Sequence, residues 1–491
     1  MSNKTAIRFM AAPGDKGMGM SSGLVGAGRK GELRLGEILN AARNVFREDG
    51  YAAFSTRRVA ARVGITQGNL QYYFPTRDAL LKATLESGLR AMIEPHARIA
   101  GQATLSASKR YSELVERIYR DVNETDLPNF MFEAWAFANH DAYAAEILDG
   151  VHAEYRDVFA QLLAQINPAL TEEECSVRAL VLTAQVSGMM IFAHRSGDSP
   201  RDHTEFVRTT KRYARKIAGL SGSLLADSNV PEAEYMHVVD ERTGSSGRGG
   251  LGQARVGVFG SESHLLHGRL ELSAGRAGTD AVYRRPTVQG KRRETKINDI
   301  VTAAALVLAE DGYANFTQAR IASKLGLLPS SLRNYFPTRE DLFVYTIGAL
   351  MNTYLDRYFE MGRPSDKSPM RRLCEIVVDV FDEVCDSRVC RFSLEMFAVA
   401  QHSELSHELF RKVYATYRSI YADLIREIDP TASARECLVR ATLIAAQLEG
   451  MMMFVGPGSR NLPDLGRVKQ LMTALAIDIA LGGRSSNEMG G

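Results

Sequence analysis

The chain repeats itself after 262 positions, and no other feature constrains its fold as strongly. The stretch EDGYAAFSTRRVAARVGITQGNLQYYFPTR (48–77) aligns without a gap with EDGYANFTQARIASKLGLLPSSLRNYFPTR (310–339), and half of these 30 positions are identical. The same offset aligns AQVSGMM, from Ala184, with AQLEGMM, from Ala446. The sequence therefore predicts two copies of a whole protein, at about residues 30–220 and 292–482.

The composition is that of a soluble globular protein, with 45% hydrophobic and 24% charged residues. The net charge is only +2, so affinity for nucleic acid must come from local clusters of basic residues. The N-terminus lacks the apolar run of a signal peptide, and no apolar run is long enough to suggest a membrane span. We expect a cytoplasmic protein without membrane contact.

The cysteines number five, and none lies in a CxxC pair. This pattern is typical of reduced, buried thiols in a cytosolic protein. A redox switch between Cys385 and Cys390 is the less favoured alternative, and zinc is less favoured still. We also find no catalytic motif in a suitable context, so we expect neither an enzyme, nor a cofactor, nor a metal site.

Each copy opens with a pattern typical of a helix-turn-helix. Apolar residues at helical spacing predict a first helix that ends near Gly50 or Gly312. Ser55 suits the N-cap of a short second helix ending at Val63, and Gly64 suits a left-handed C-cap. After a two- or three-residue turn, a third helix is predicted at about Gln67 to Tyr73.

Three features favour a DNA reader over a purely structural helical hairpin. The third helix carries outward polar side chains of the types that reach base edges and phosphates. Residues 29–77 contain nine Lys/Arg against four Asp/Glu, and residues 291–339 contain eight against four. A basic arm also precedes each first helix, with Arg29 and Lys30 in the first copy.

The runs GITQGNLQYYFPTRDALL and GLLPSSLRNYFPTREDLF resemble the DNA-binding signature of the tetracycline-repressor (TetR) family, and the resemblance covers both copies. It implies an all-α fold, with about nine helices per unit and the last two helices pairing with a second unit. It also implies a ligand-responsive repressor of nearby genes, with double-stranded operator DNA and a small, largely apolar effector as partners.

The second copy departs from the family pattern at the start of its third helix. Leu328 replaces Thr66 and Pro329 replaces Gln67. Proline is acceptable at the first helical position, but the loss of one capping hydrogen bond costs ~1 kcal/mol. The two readers are therefore expected to prefer different half-sites.

The predicted organisation follows from these observations. We expect a disordered arm (1–29), a first helix-turn-helix domain (30–77), a first effector and dimerisation body (78–220) and a flexible linker (221–290). A second helix-turn-helix domain (291–339), a second body (340–482) and a disordered tail (483–491) complete the chain. Within the linker, GRGGLG (247–252) matches the letters of a dinucleotide-binding loop but lacks its flanking strand and helix, and 265–272 could form a small hairpin.

The candidate DNA-contacting residues are those of the second and third predicted helices and the residue opening the fourth. In the first copy they are Ser55, Thr56, Arg57, Thr66, Gln67, Gly68, Asn69, Gln71, Tyr72 and Arg77. In the second copy they are Thr317, Gln318, Ser330, Ser331, Arg333, Asn334 and Arg339. Arg77 and Arg339 are expected to contact phosphate.

The candidate effector-binding residues lie on the apolar helices of the two bodies. In the first body they are Phe132, Trp135, His140, Gln185 and Met189. In the second body they are Met396, Phe397, His402, Gln447 and Met451. For any single one of these residues, core packing is the stronger interpretation.

Three readings of the whole chain stay open on the sequence. The first is a ligand-controlled repressor, the second an architectural DNA-binding protein without effector, and the third a regulator with one functional reader. A 70-residue flexible linker has an r.m.s. span of ~45 Å. We therefore expect the helices near 171–196 and 201–219 to pack against those near 433–455 and 464–481 within one chain.

Overall fold

The computed structural model describes residues 29–193, 200–220, 291–455 and 462–483. Apart from Arg29 and Gly483, the predicted arm, linker and tail lie outside these ranges. The GRGGLG stretch (247–252) and the hairpin predicted at 265–272 therefore also lie outside the described residues. The described residues form helices joined by turns, and no strand occurs among them. The prediction of an all-α fold is confirmed for the described residues, which form two similar helical units.

The first unit contains nine helices within its described residues. They are α1 (Arg29–Ala53), α2 (Thr56–Val63), α3 (Gln67–Tyr73), α4 (Arg77–Ala100), α5 (Ala107–Glu124), α6 (Leu127–Ala138), α7 (Ala142–Ile166), α8 (Glu172–Ala193) and α9 (Pro200–Ile217). Helices α1 to α3 form a compact reader, and α4 to α9 form the body behind it.

The second unit repeats this order in the part of the chain that the structure covers. Its helices are α10 (Lys291–Asn315), α11 (Gln318–Lys324), α12 (Pro329–Arg333), α13 (Arg339–Gly362), α14 (Pro369–Val384), α15 (Ser387–Val399), α16 (Glu404–Ile428), α17 (Ala434–Glu449), α18 (Met452–Val455) and α19 (Leu465–Ala480). The first unit has one unbroken helix, α8, where the second unit has two, α17 and the short α18.

Local sequence explains where the reader helices end. Gly50 interrupts α1 with a φ of 79°, and Gly64 ends α2 with a φ of 73°, both in the left-handed region that favours glycine. Thr76 begins α4 by accepting a hydrogen bond from the Ala79 N–H at 3.0 Å. With these turns between them, α2 packs against both α1 and α3. The reader is therefore built from contacts between helices that are neighbours in sequence.

The two units pack against each other through α8 and α9 of the first and α17 and α19 of the second, a contact that we call the inter-unit seam. At its centre the Gln447 side chain donates to Gln185 Oε1 at 2.9 Å. The helices approach so closely that a Cβ on Gly188 would lie 1.7 Å from the Ala446 carbonyl oxygen. At the edge, Lys216 Nζ lies 2.6 Å from Asp478 Oδ1.

The seam includes two long, apolar helical stretches of the described residues. Glu172–Phe192 and Ala434–Val455 are long and apolar enough to cross a membrane by length and composition alone. In each of them, 89% of the apolar window is buried inside the protein. Their apolarity is explained by packing of one unit on the other.

Candidate nucleic-acid interface and the contacts behind it

The third helix of the first reader presents nearly all of its side chains to solvent. Only Leu70 is buried, while Gln67, Asn69 and Gln71 are exposed. Tyr72 is 80% exposed, which is rare for so large a ring. Thr66 caps the helix by accepting from the Asn69 N–H at 3.2 Å. The surface is therefore a rigid polar ridge suited to groove contacts.

The equivalent helix of the second reader, α12, has five residues and no side-chain cap. Leu328 stands at the N-cap and is 70% exposed, and Pro329 supplies the first helical position. Arg333 and Asn334 are exposed near its end, and Ser330 is exposed near its start. The two readers thus present different chemistry from the same backbone position.

Arg77 and Arg339 have a role that the sequence did not indicate. Arg77 Nε donates to the Phe54 carbonyl at 2.8 Å and Nη2 donates to the Tyr51 carbonyl at 2.6 Å. Arg339 donates to the Tyr313 carbonyl and lies over the Tyr313 ring at 4.0 Å. Both guanidinium groups brace the end of the first helix against the fourth, and their contact with phosphate stays a prediction.

Other predicted contacts on the second helices are also partly used within the reader. Thr317 caps α11 by accepting from the Arg320 N–H at 3.2 Å, whereas Ser55 occupies the N-cap position without a side-chain hydrogen bond. Gln318 donates to the Phe336 carbonyl at 2.7 Å, and its Oε1 lies 3.4 Å from Arg333 Nε. Gln318 therefore orients Arg333. Thr56 is partly exposed and Arg57 is exposed.

Acidic residues near the end of each first helix form ion pairs with basic residues of the second helix. In the first reader, Arg62 lies 2.7 Å from Glu48. In the second, Arg320 lies 2.7 Å from Asp311 and Lys324 lies 2.6 Å from Glu310. Each pair neutralises one basic side chain, so the positive field of the reader comes from its other basic residues.

Apart from His140 and His402, the predicted effector residues are buried, and several of them meet residues of the opposite unit. The glutamines bond each other across it, and Gln185 also donates to the Tyr119 hydroxyl at 2.9 Å. The Phe132 and Phe397 rings, from opposite units, have centroids 5.4 Å apart. The structure thus brings together, in one apolar region, residues that the sequence assigned to two separate pockets. The remaining buried members are Met189, Met396 and Met451.

Trp135 lies in a buried aromatic group at the edge of that region. Its Nε1 lies 3.4 Å from His152 Nε2, and the His152 ring lies 4.8 Å from that of Phe454, which belongs to the other unit. Desolvation by the surrounding apolar side chains lowers the pKa of His152 to about 3, so the imidazole is neutral. Sequence reasoning missed His152, because a lone histidine on an apolar helix carries no distinctive signal.

His140 and His402 each contact a glutamate of the opposite unit. His140 Nε2 lies 2.8 Å from Glu395 Oε1, and His402 Nε2 lies 2.8 Å from Glu133 Oε1. Each pair joins one unit to the other. The structure thus gives both histidines a contact that the sequence did not indicate, and their effector role stays a prediction.

The second body buries an acidic group that the first body lacks. Glu449 accepts a hydrogen bond from the Tyr414 hydroxyl at 2.7 Å, and burial raises its pKa to about 7. Burial also raises the pKa of Glu383 to about 7 beside Tyr358. The residue of the first unit that aligns with Glu449 is Ser187. The sequence showed this difference at Glu449, but not the tyrosines around it.

A comparison of the sequence with known protein families finds the same family in both units. The family model described as "Bacterial regulatory proteins, tetR family" matches residues 38–84 and 300–346, which are the two readers and the starts of the helices after them. The chain is a tandem tetR-family regulator. This regulator is a DNA-binding protein and not an enzyme.

Curated relatives of the tetR-family regulator match it over the length of one unit. The HTH-type transcriptional regulator BetI of Paraburkholderia xenovorans is 25% identical over 183 residues, which cover 37% of this chain and 92% of that protein. BetI of Cronobacter sakazakii is 22% identical over 189 residues, 38% of this chain and 92% of the relative. Nearly a whole relative therefore corresponds to little more than a third of the chain.

Proposed function

We propose that the two units act as a single-chain pseudo-dimer that represses transcription by reading an operator with unlike half-sites. The observation that carries this proposal is the inter-unit seam, which joins two readers of different sequence within one molecule. Helix-turn-helix dimers place their recognition helices one helical turn of DNA apart, ~34–36 Å. Here a single cytoplasmic chain supplies both helices.

Tethering favours this pairing over the pairing of two chains. A linker keeps one unit at an effective concentration in the millimolar range near the other. The unlike residues at the centre of α3 and α12 then favour an imperfect palindrome. Two identical units could not prefer such a site.

Mapping the bound sites across the genome, followed by footprinting, tests this function. Light scattering on the free protein gives the number of chains in the particle. One chain protecting two unlike half-sites supports the proposal. A two-chain particle whose like units pair on a symmetric site would refute it, a footprint of one half-site would indicate one functional reader, and tight binding with little sequence preference would indicate an architectural protein.

We further propose that a small, largely apolar effector releases the DNA by entering the aromatic region around Trp135. Apolar and aromatic side chains from both units meet there, and the neutral His152 adds one polar contact. These side chains are closely packed, so an effector must move them and disturb the seam. Coupling of this kind is worth ~1–3 kcal/mol.

Tryptophan fluorescence tests the effector site, since Trp135 is the only tryptophan. A compound that releases the operator is expected to change Trp135 emission and to raise the thermal midpoint of the free protein. A compound that releases DNA but changes neither would place the effector elsewhere.

A further inference from the structure

Two buried carboxylates connect each reader to both bodies. Glu133, on α6, is 1% exposed and accepts from the Tyr51 N–H, at the end of α1, at 2.8 Å. Its other oxygen accepts from His402 of the second unit at 2.8 Å. Glu395, on α15, is also 1% exposed, and it accepts from the Tyr313 N–H and from His140 of the first unit, both at 2.8 Å. We call these two groups the crossed carboxylate sites.

The two sites differ in one contact. The Tyr51 hydroxyl reaches across the boundary and lies 3.2 Å from both oxygens of Glu395, and its ring stacks on His140 with centroids 6.3 Å apart. The equivalent Tyr313 stays within its own unit, where its ring packs against that of Phe343 on α13, with centroids 4.9 Å apart. Glu395 therefore contacts both readers, whereas Glu133 contacts one.

Glycines permit this arrangement. A Cβ on Gly50 would lie 2.9 Å from Glu133 Oε2 and 3.0 Å from His402 Nε2. A Cβ on Gly312 would lie 2.3 Å from His140 Nε2. The turn that ends each first helix thus rests directly on a histidine of the opposite unit, in addition to needing a positive φ.

Burial makes these contacts interdependent. A buried carboxylate is costly unless it is hydrogen-bonded, and burial raises the pKa of Glu133 while His402 and the Tyr51 N–H oppose that rise. Each carboxylate is fully satisfied only when its own reader and the histidine of the opposite unit are both in place. The position of a reader is therefore linked to the α6–α7 or α15–α16 turn of the other unit.

We propose that His402 and His140 are positioning residues that act across the molecule: His402 fixes the first reader through Glu133, and His140 fixes the second reader through Glu395. A shift of one body then changes the geometry of the opposite reader. The consequence for DNA binding rests on the proposed function, whereas the coupling itself concerns the free protein.

Hydrogen exchange of the full-length protein without DNA measures this coupling directly. In His402→Ala, amides between residues 49 and 63 are expected to exchange roughly tenfold faster, with those between 311 and 324 unchanged. His140→Ala is expected to speed exchange mainly between residues 311 and 324, with a smaller effect between 49 and 63, because Tyr51 also contacts Glu395 and His140. Equal effects in both readers, an effect confined to the unit that carries the substitution, or no effect would overturn the proposal.

Conservative variants separate the hydrogen bond from the bulk of the ring, and they keep the test valid where alanine impairs folding. The amide nitrogen of His402→Gln can reach Glu133 and is expected to retain protection, whereas the shorter His402→Asn is expected to lose it. Gln401→Ala is the matched control, since the Gln401 amide donates to the Phe397 carbonyl of the preceding helix, within its own unit. Protection that is the same in the Gln and Asn variants would contradict a role for this hydrogen bond.

Operator fragments with one half-site scrambled then extend the test to DNA. His402→Ala is expected to weaken binding to the half-site of the first reader roughly tenfold and to leave the other nearly unchanged. A crossed exchange pattern without this selectivity would uphold the positioning role and count against the proposed reading of unlike half-sites. Absence of the crossed exchange pattern would overturn the inference whatever the DNA result.

Discussion

Glu449 shows how a single residue gives the two bodies different behaviour. Its pKa is raised by burial to about 7 from an ordinary value of 4.5, so the folded chain holds this proton more tightly than the unfolded chain. The stability that comes from the protonated carboxyl is fully present below about pH 4.5 and is lost as the pH rises to about 7. Ser187, its counterpart, cannot titrate in this range.

We expect Glu449→Gln to reduce the loss of stability between pH 5 and pH 8. The shift of the Glu449 pKa corresponds to about 3 kcal/mol at most. Urea unfolding of the variant and the parent at both pH values measures the difference. Glu404→Gln, at an exposed position on α16, is the control. An unchanged pH dependence in Glu449→Gln would show that Glu449 is ionised at neutral pH in the folded protein.

Arg333 is the residue for which base reading is predicted most specifically. Its side chain is exposed and oriented by Gln318. Arg333→Ala is expected to cost ~1–3 kcal/mol of binding and to relax preference at one base of one half-site. Binding to a set of single-base operator variants measures this effect, with Arg363→Ala at the far end of α13 as control. Equal weakening on every sequence would instead assign Arg333 to phosphate.

Sequence reasoning succeeded at the residue scale where the signal is local. The cap at Thr66 and the left-handed Gly64 follow from short-range chemistry, and the structure has both. It did not indicate contacts whose partner lies elsewhere along the chain. Arg77 near a helix start looks like a phosphate ligand, and only the fold shows that it reaches back to Tyr51 and Phe54.

At the scale of helices, the crossing of α8 and α17 depends on two glycines. A Cβ on Gly188 would lie 1.7 Å from the Ala446 carbonyl oxygen, and one on Gly450 would lie 1.9 Å from the Ala184 carbonyl oxygen. These contacts are with backbone, which cannot move aside as a flexible side chain can. The repeated glycine in AQVSGMM and AQLEGMM is thus explained by the packing of the repeats on each other.

Gly188→Ala is expected to destabilise the protein by ~1–3 kcal/mol or more, because the added methyl forces the seam apart. Gly348→Ala, on α13, is the matched control, since a Cβ there meets nothing within 4 Å. The control is expected to be neutral or to stabilise by ~0.5–1 kcal/mol, as alanine is a better helix former. Chemical denaturation of both variants gives the comparison, and equal effects would contradict the close approach.

Helix type and order were predictable because the apolar spacing is local and is repeated in both copies. The meeting of the two sets of predicted effector residues was not predictable in the same way. Gln185 and Gln447 are 262 positions apart, and nothing in either helix alone shows that they bond each other. Long-range polar pairs of this kind become visible only when the units are placed together.

At the scale of the whole molecule, the linker and the seam make separate contributions to assembly. The sequence predicts a flexible linker at 221–290, and the described contacts between the units do not include it. After cleavage at a protease site inserted at 247–252, the two fragments are expected to co-elute at micromolar concentration, because the seam buries apolar helices from both. Size-exclusion chromatography before and after cleavage checks this.

A cleaved protein carrying Gly188→Ala provides the contrast, since its seam is weakened and its fragments are expected to separate more readily on dilution. Separation of the parent fragments at micromolar concentration would mean that the linker alone keeps the units together. Cleavage is also expected to weaken operator binding at low protein concentration, where the units are no longer held near each other.

The unlike recognition helices, α3 with seven residues and α12 with five, have a further consequence if the two readers bind together. A complex of two identical units looks the same from either end of its site. This one has a left and a right side, so the operator sets which body faces the promoter. Turning the operator around would present the second body, which buries Glu449, where the first body with Ser187 had stood. The same protein bound with the same affinity would then regulate a neighbouring gene differently.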